Sequence, residues 1–259
     1  MDCGLDIIAL LAGVAFIAGF IDALAGGGGL LTIPALMAAG VSPVSAIATN
    51  KLQGTFGTGS AFLAFARKGH IDFQRFRWPA IGAMIGAGAG SYVLQLIDSG
   101  FLAGFIPVLL IAMAIYFLAA PDMSDVDRHS RVGMAGLFAI VATIGFYDGF
   151  FGPGTGSFFT TALVALGGLG LVRAIAHTKF LNFCTNMMSL LVMIAGGKVV
   201  WIIGLPMALA SILGNQAGAH TAMRFGGKGV RPVLVVMSLA LTVKLLSDPA
   251  NPLRMMLHF

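Results

Sequence analysis

Two lysines lie deep in apolar stretches of the sequence, at matching places in its two halves. Lys51 follows AIATN and Lys179 follows AIAHT, each about two helical turns into a long apolar run. A buried ammonium costs about 3 kcal/mol on insertion scales, so each lysine needs a partner or a function. In one interpretation the lysines bind an anion. In the other they reach the lipid interface or pair with Asp22 and Asp148, which leaves no net charge for a ligand.

A glycine-rich segment that contains an aspartate precedes each lysine. GFIDALAGGG at 19–28 aligns with GFYDGFFGPG at 145–154, and five of the ten positions are identical. Consecutive glycines favour a non-helical turn, and a helix that begins after the turn presents unbonded amides and about half a positive charge at its N-terminus. With a lysine nearby, these groups form a site suited to an oxyanion.

The candidate site therefore consists of the turn residues and the polar side chains beside the lysines. The predicted substrate-binding residues are Gly27, Gly28, Gly29, Thr49, Asn50, Lys51, Gln53, Gly154, Thr155, Gly156, Ser157, His177, Thr178, Lys179 and Asn182. Asp22 and Asp148 are candidates for proton coupling, because a buried carboxyl binds a proton more readily, or for a structural role as caps or counter-ions. Asn215 and Gln216 either line a pathway or bond across helices.

The residue inventory argues against an enzyme or a metalloprotein. Cys3 and Cys184 are too few and too far apart for a disulfide scaffold or a metal site. The glycines at 26–29 are followed by two leucines rather than by the Lys-Ser/Thr of a phosphate loop. GPGTGSF at 152–158 has no base spaced to activate Ser157. We therefore expect no catalytic residue, no metal and no cofactor.

The composition is that of an integral membrane protein. Of 259 residues, 58% are hydrophobic and only 10% are charged, with a mean hydropathy of +0.95. A soluble domain carries about a quarter charged residues. The length allows about eight to ten crossings at roughly 20 apolar residues each and leaves no room for a soluble catalytic domain. Despite a pI near 9.6, nucleic-acid binding is not expected, because the basic residues cluster in short turns between apolar runs.

The elements that would position these residues form two similar sets. Apolar runs lie near 5–25, 30–39, 44–66, 78–97 and 101–120, and again near 133–151, 157–169, 172–196, 200–222 and 230–247. We predict an all-α polytopic membrane protein with two homologous repeats of about four helices, at 1–120 and 133–259, joined by a polar linker at 121–132. The runs at 30–39 and 157–169 are too short to cross and are predicted to be re-entrant or half-helices that begin at the glycine breaks. In transporters of this architecture the substrate binds between the repeats.

The basic turns predict how the chain is oriented. The segments 66–77, 127–131 and 224–231 carry most of the Lys and Arg residues and are predicted to be cytoplasmic. A basic turn follows the third apolar run of the first half but the fourth of the second half, so the repeats are predicted to be inverted. Both termini would then lie on the side of the membrane opposite the cytoplasm.

At these residues the sequence resembles the TauE/SafE family of membrane transporters, also called sulfite exporters. The resemblance is carried by AGFIDALAGGGGLLTIPAL at 18–36, ATNKL at 48–52, GFYDGFFGPGTGSFF at 145–159, AHTKFLNF at 176–183 and GGKVVW at 196–201. It extends through nearly the whole chain. It implies two similar repeats and the transport of a small sulfur-containing anion such as sulfite, sulfoacetate or another organosulfonate.

The expected function is a secondary transporter, acting as an exporter, that works by alternating access with the anion between the two glycine breaks. The expected partners are the small anion and the lipid bilayer, with protons as a candidate coupling ion and no oligomeric state predicted. A passive anion channel built on the same residues is the alternative. A carrier saturates and shows counterflow, which separates the two.

Overall fold

The computed structural model describes residues 4–119 and 126–225. Its helices are α1 (Leu5–Ala25), α2 (Gly29–Ala38), α3 (Pro43–Arg67), α4 (Phe73–Leu96), α5 (Ser99–Ala119), α6 (Met134–Phe150), α7 (Thr155–Ala165), α8 (Leu171–Ala195) and α9 (Trp201–Phe225). Every regular element in these two ranges is a helix, so the predicted all-α class is confirmed. The apolar run at 230–247, most of the basic turn at 224–231 and linker residues 121–125 lie outside the described residues.

Three of the described helices are both long and apolar enough to cross a membrane, by length and composition. They span Leu5–Leu24, Leu171–Ala195 and Trp201–Arg224. Large apolar side chains remain on the outside of the bundle, such as Leu10 with 69% of its surface exposed and Leu209 with 67%. An outer surface of this kind suits lipid, which does not penalise exposed apolar area.

Two short helices follow the glycine breaks, as predicted. α2 has 10 residues and α7 has 11. At 1.5 Å per residue each is about 15 Å long, roughly half the thickness of the hydrocarbon core. The breaks before them contain glycines with positive φ, including Gly26 at +74°, Gly152 at +95° and Gly154 at +84°. These conformations are strained for any residue with a Cβ, so glycine is required where the chain reverses.

Each half packs its first helix against the fourth helix of the other half. α1 lies along α9, and α6 lies along α4. Gly86 and Gly90 on α4 face the backbone of α6, while Gly214 and Gly218 on α9 face the backbone of α1, with no room for a Cβ at any of the four. Small residues let helix backbones approach closely inside a membrane, where lipid supplies no hydrophobic drive for association.

The long helices α3 and α8, which carry the two lysines, pack against each other and against α9 and α4. A residue of the linker, Asp127, bonds to the start of α8. The carboxylate of Asp127 accepts a hydrogen bond from the Gly170 amide at 2.6 Å and pairs with Arg173 at 2.7 Å. The Gly170 amide and the Arg173 guanidinium hold the pKa of Asp127 below its usual range. The stability that this contact adds is therefore lost only as the pH falls through the lowered pKa.

Candidate functional site

The two glycine breaks, far apart in sequence, meet in the structure. A Cβ added to Gly26 would lie 2.5 Å from the Cα of Gly156, and one added to Gly29 would lie 3.4 Å from the Cα of Pro153. The Ser157 hydroxyl donates to the carbonyl oxygen of Gly26 at 3.4 Å. The starts of α2 and α7 are therefore adjacent, and the absence of side chains on the glycines lets the two backbones touch.

A small polar cavity lies at this junction. Its walls come from both breaks and from α3, α8 and α9. Among the predicted site residues, the lining includes Gly27, Gly28, Gly29, Asn50, Lys51, Gln53, Gly154, Thr155, Gly156 and Asn182, together with Asp22 and Asp148. The remaining lining residues are Gly54, Thr58, Gly152, Asn186, Ser211 and Asn215. The structure thus brings most of the predicted residues to one place.

Both lysines form ion pairs that cross between the two halves of the chain. Lys51 Nζ lies 3.0 Å from Asp148 Oδ1, and Lys179 Nζ lies 2.9 Å from Asp22 Oδ2. Each lysine side chain is only 1% exposed. The pairing interpretation of the lysines therefore describes this conformation. The four side-chain charges sum to zero.

The two aspartates differ in the way their second carboxylate oxygen is held. Asp22 Oδ1 accepts hydrogen bonds from the amides of Gly27 at 3.0 Å and Gly28 at 3.2 Å. Asp148 Oδ2 is buried and has no hydrogen-bond partner among the described residues. Pro153 occupies the position that aligns with Gly27, and proline has no amide hydrogen to donate.

Amide and hydroxyl side chains connect three helices around the cavity. The Asn50 Nδ2 group donates to Thr32 Oγ1 at 2.6 Å and to Gln53 Oε1 at 3.0 Å. Gln53 Nε2 in turn donates to the hydroxyl of Ser211 on α9 at 3.1 Å. Bonded in this way, α2, α3 and α9 hold their polar groups in fixed orientations, which reduces the cost of ordering them around a ligand.

Several predicted residues lie outside the lining and connect helices instead. The Thr49 hydroxyl accepts the Val200 amide at 3.1 Å, just before α9 begins. The Thr178 and Thr160 hydroxyls are hydrogen-bonded at 3.1 Å. Lys179 is buried behind Asp22, and it donates to the backbone oxygen of Asp22 as well as to its carboxylate. Ser157 and His177 also lie outside the lining. Gln216 does not line the cavity, whereas Asn215 does.

His177 joins α8 to the start of α4. Its Nε2 atom accepts the amide of Asp72 at 3.0 Å, so its Nδ1 atom carries the proton and donates to the Arg173 carbonyl oxygen at 2.7 Å. The ring also packs on Phe76, with a centroid distance of 4.0 Å. These contacts give the side chain a structural role.

We expect the His177→Phe variant to lose about 2 kcal/mol of stability, because it removes two hydrogen bonds with a net value of about 1 kcal/mol each. Anion affinity should be unchanged, since the side chain does not line the cavity. Unfolding and binding assays on the purified protein measure both effects. Weaker binding with unaltered stability would return His177 to the binding site.

The sequence is similar to those of known membrane transporter proteins. The sequence signature of the family described as Sulfite exporter TauE/SafE matches residues 11–245. The chain is 47% identical over 257 residues to the "Probable membrane transporter protein ORF9" of Sinorhizobium sp, covering 99% of this chain and 98% of that protein. It is 42% identical over 250 residues to a "Probable membrane transporter protein" of Haemophilus influenzae, covering 96% and 98%. With "Probable membrane transporter protein YfcA" of Escherichia coli strain K12 it shares 43% identity over 245 residues, covering 93% and 90%. No solved structure is significantly similar to the chain.

Proposed function

Because the chain belongs to the sulfite exporter TauE/SafE family and is a membrane transporter, we propose that it carries a small sulfur-containing anion such as sulfite or an organosulfonate. The anion binds in the cavity between the two glycine breaks. The protein works as a secondary carrier in a bacterial inner membrane, in the direction of export and with both termini periplasmic. The family description supports the substrate class, and the geometry of the cavity supports an anion.

The observation that carries the proposal is the meeting of two helix N-termini at one cavity. Gly28 precedes α2 and Gly154 precedes α7, and both residues line the cavity. A helix N-terminus carries about half a positive charge, and its first amides lack partners within the helix. Because the ion-paired side chains contribute no net charge, the two helix ends set the sign of the local potential, and that sign favours an anion.

Neutral donors in the lining suit an oxyanion in particular. The amide groups of Asn50, Gln53 and Asn182 surround the helix ends. A sulfite or sulfonate group has several oxygens spread around sulfur and needs donors from more than one direction. The side-chain amides of Gln53 on α3 and Asn182 on α8 provide donors from two directions, and of the two lysines only Lys51 lines the cavity.

Alternating access fits the placement of the cavity. The cavity lies between segments from both halves, and the two ion pairs link one half to the other. A rocking motion of one half against the other would expose such a site first to one side and then to the other. A passive channel using the same residues remains the second candidate function.

Flux measurements on the purified protein in liposomes test the proposal. Vesicles loaded with unlabelled sulfite should accumulate labelled sulfite by counterflow, with saturable rates, and sulfoacetate in excess should compete. A matched vesicle without protein provides the baseline. Saturable transport without counterflow of any of these anions would contradict the carrier, and rates that rise without saturation would favour the channel. No flux of sulfite, sulfoacetate or taurine would contradict the proposed function.

A further inference from the structure

The two buried ion pairs occupy equivalent positions but are not equivalent chemically. We propose that the Lys51–Asp148 pair is a proton-controlled switch, in which Asp148 binds one proton for each anion that the site binds. The Lys179–Asp22 pair is structural. This inference rests on the proposed anion transport and deepens it. It names the coupling ion, the residue that carries it and the cation that the proton releases.

The unpartnered oxygen of Asp148 is the first argument for the switch. The Asp148 side chain is 4% exposed and lines the cavity, and its Oδ2 atom has no hydrogen-bond partner within the part of the chain that the structure describes. A buried carboxylate oxygen without a donor is costly, and a proton bound there removes the cost. The sequence explains one of the two missing donors, because Pro153 lies where the first half has Gly27, whereas Gly154, which aligns with Gly28, keeps its amide.

The contacts of Asp22 explain why the other pair does not act in this way. Its carboxylate already accepts from the amides of Gly27 and Gly28 and from Lys179. Three donors to this carboxylate favour its charged form. Lys179 is also bonded to the backbone oxygen of Asp22, so it would stay in place even if the carboxylate were neutral.

The charges balance in each state of the proposed cycle. In the empty state Asp148 is charged and neutralises Lys51, so an arriving anion would add a negative charge without a counter-ion. A proton that bonds to Asp148 Oδ2 makes the acid neutral and leaves the Lys51 ammonium to attract the anion. The acid O–H can then donate to an anion oxygen. Release of the anion and the proton together restores the ion pair.

Other charged groups near Asp148 are already engaged or lie elsewhere. From α1, Asp22 shares the cavity but is held by Lys179, and α7 carries no titratable side chain. On α6 itself, the Tyr147 hydroxyl donates to the Pro153 carbonyl oxygen at 2.6 Å. The titratable groups of the remaining neighbouring helices, α4 and α8, are Arg75, Arg77, Tyr92, Arg173, His177, Lys179 and Cys184. Lys51 is the cation within ion-pair distance of Asp148.

Binding measured against pH tests the switch. The probe is methanesulfonate, whose charge is constant between about pH 5 and pH 8, and calorimetry on the purified full chain gives its affinity. The competent form carries the proton, so the dissociation constant should rise with pH and approach tenfold per pH unit. The binding enthalpy should vary with the ionisation enthalpy of the buffer by an amount that corresponds to one proton taken up per anion. This second readout needs no variant.

Variants then identify the group. Asp148→Asn keeps the shape of the acid without a charge, so methanesulfonate should bind at high pH as tightly as it binds the wild type at low pH, without proton uptake. Pro153→Gly adds the amide that the first half has at Gly27, and the pH at which affinity is lost should move downward. The matched control is the double variant Asp22→Asn with Lys179→Met, which removes the other pair without leaving a buried charge and should leave proton uptake in place.

The outcomes separate the inference from the proposed function. Methanesulfonate binding to the wild type without proton uptake would overturn the switch while leaving the anion site intact. Proton uptake that persists in folded Asp148→Asn would assign the proton to another group and overturn it as well. If neither methanesulfonate, sulfite nor sulfate binds at any pH, the proposed anion site itself fails.

Discussion

Replacing Lys179 with methionine will destabilise the folded protein by about 3 kcal/mol, because it leaves the Asp22 carboxylate buried without its counter-ion. The figure is at the low end for a broken buried pair, since the Gly27 and Gly28 amides still bond to the carboxylate. Methionine keeps most of the apolar stem, so packing changes little. Denaturant unfolding of the detergent-solubilised protein measures the loss.

A double variant provides the control. Lys179→Met combined with Asp22→Asn removes both charges, and most of the lost stability should return. Lys51→Met is the matched change at the other pair, where Asp148 can bind a proton instead of remaining charged. We expect a smaller loss of stability there and a fall in anion affinity of about ten- to a hundredfold, the value of one charge-assisted hydrogen bond. Equal stability losses at the two lysines would contradict the difference between the pairs.

Replacing Gly26 with alanine will prevent the two breaks from meeting and will abolish anion transport. The added Cβ would lie 2.5 Å from the Cα of Gly156 and 2.6 Å from the amide nitrogen of Ser157, and backbone atoms cannot move aside as a side chain can. The backbone at Gly26 also has φ +74° and ψ +141°, a conformation outside the left-handed helical region that is strained for alanine. Membrane expression, unfolding and liposome flux report the effect.

Gly69→Ala is a control that places alanine at a positive φ without a clash. The φ of Gly69 is +73°, almost the same as that of Gly26, but nothing lies within 4 Å of a Cβ built on it. Gly69→Ala should therefore show the backbone strain alone, about 1–2 kcal/mol, with transport retained. If Gly26→Ala behaves like Gly69→Ala, the close approach of the two breaks is not needed for transport.

The sequence was sufficient to predict most of the helices and both breaks. The apolar runs at 5–25 and 172–196 differ by at most one residue at each end from α1 and α8. α4 begins at Phe73, five residues before the predicted apolar run, because Asp72 caps its N-terminus by accepting the Arg75 amide. A hydropathy pattern does not register a polar first turn that a side chain stabilises.

The composition of the site was harder to predict, because nearness in sequence is not nearness on a helix. Thr49 and His177 each precede a lysine by two residues, which places them on a different side of α3 or α8 from it. The missed lining residues Gly54 and Thr58 lie three and seven positions after Lys51, where a helix returns to the same face. Asn186 likewise lies seven positions after Lys179, on the same face of α8. Helical periodicity applied from each lysine would have found them.

The crossing of the ion pairs between halves depended on tertiary packing. Asp22 and Lys179 are 157 positions apart, and their pairing requires the end of α1 to lie beside α8. Alignment of the two halves shows which residues are equivalent, but it does not show whether equivalent groups bond within a half or across the halves. The Ser211 and Asn215 contributions from α9 depend on the same packing, since α9 lies along α1 and α3.

The cancellation of the four buried charges has an electrical consequence. A membrane potential of about 100 mV changes the energy of one elementary charge by about 2.3 kcal/mol when that charge crosses the whole field. The two ion pairs, with two ammonium groups and two carboxylates, present no net charge to that field. In the proposed alternating-access motion, the voltage across the membrane would therefore do no work on these four groups.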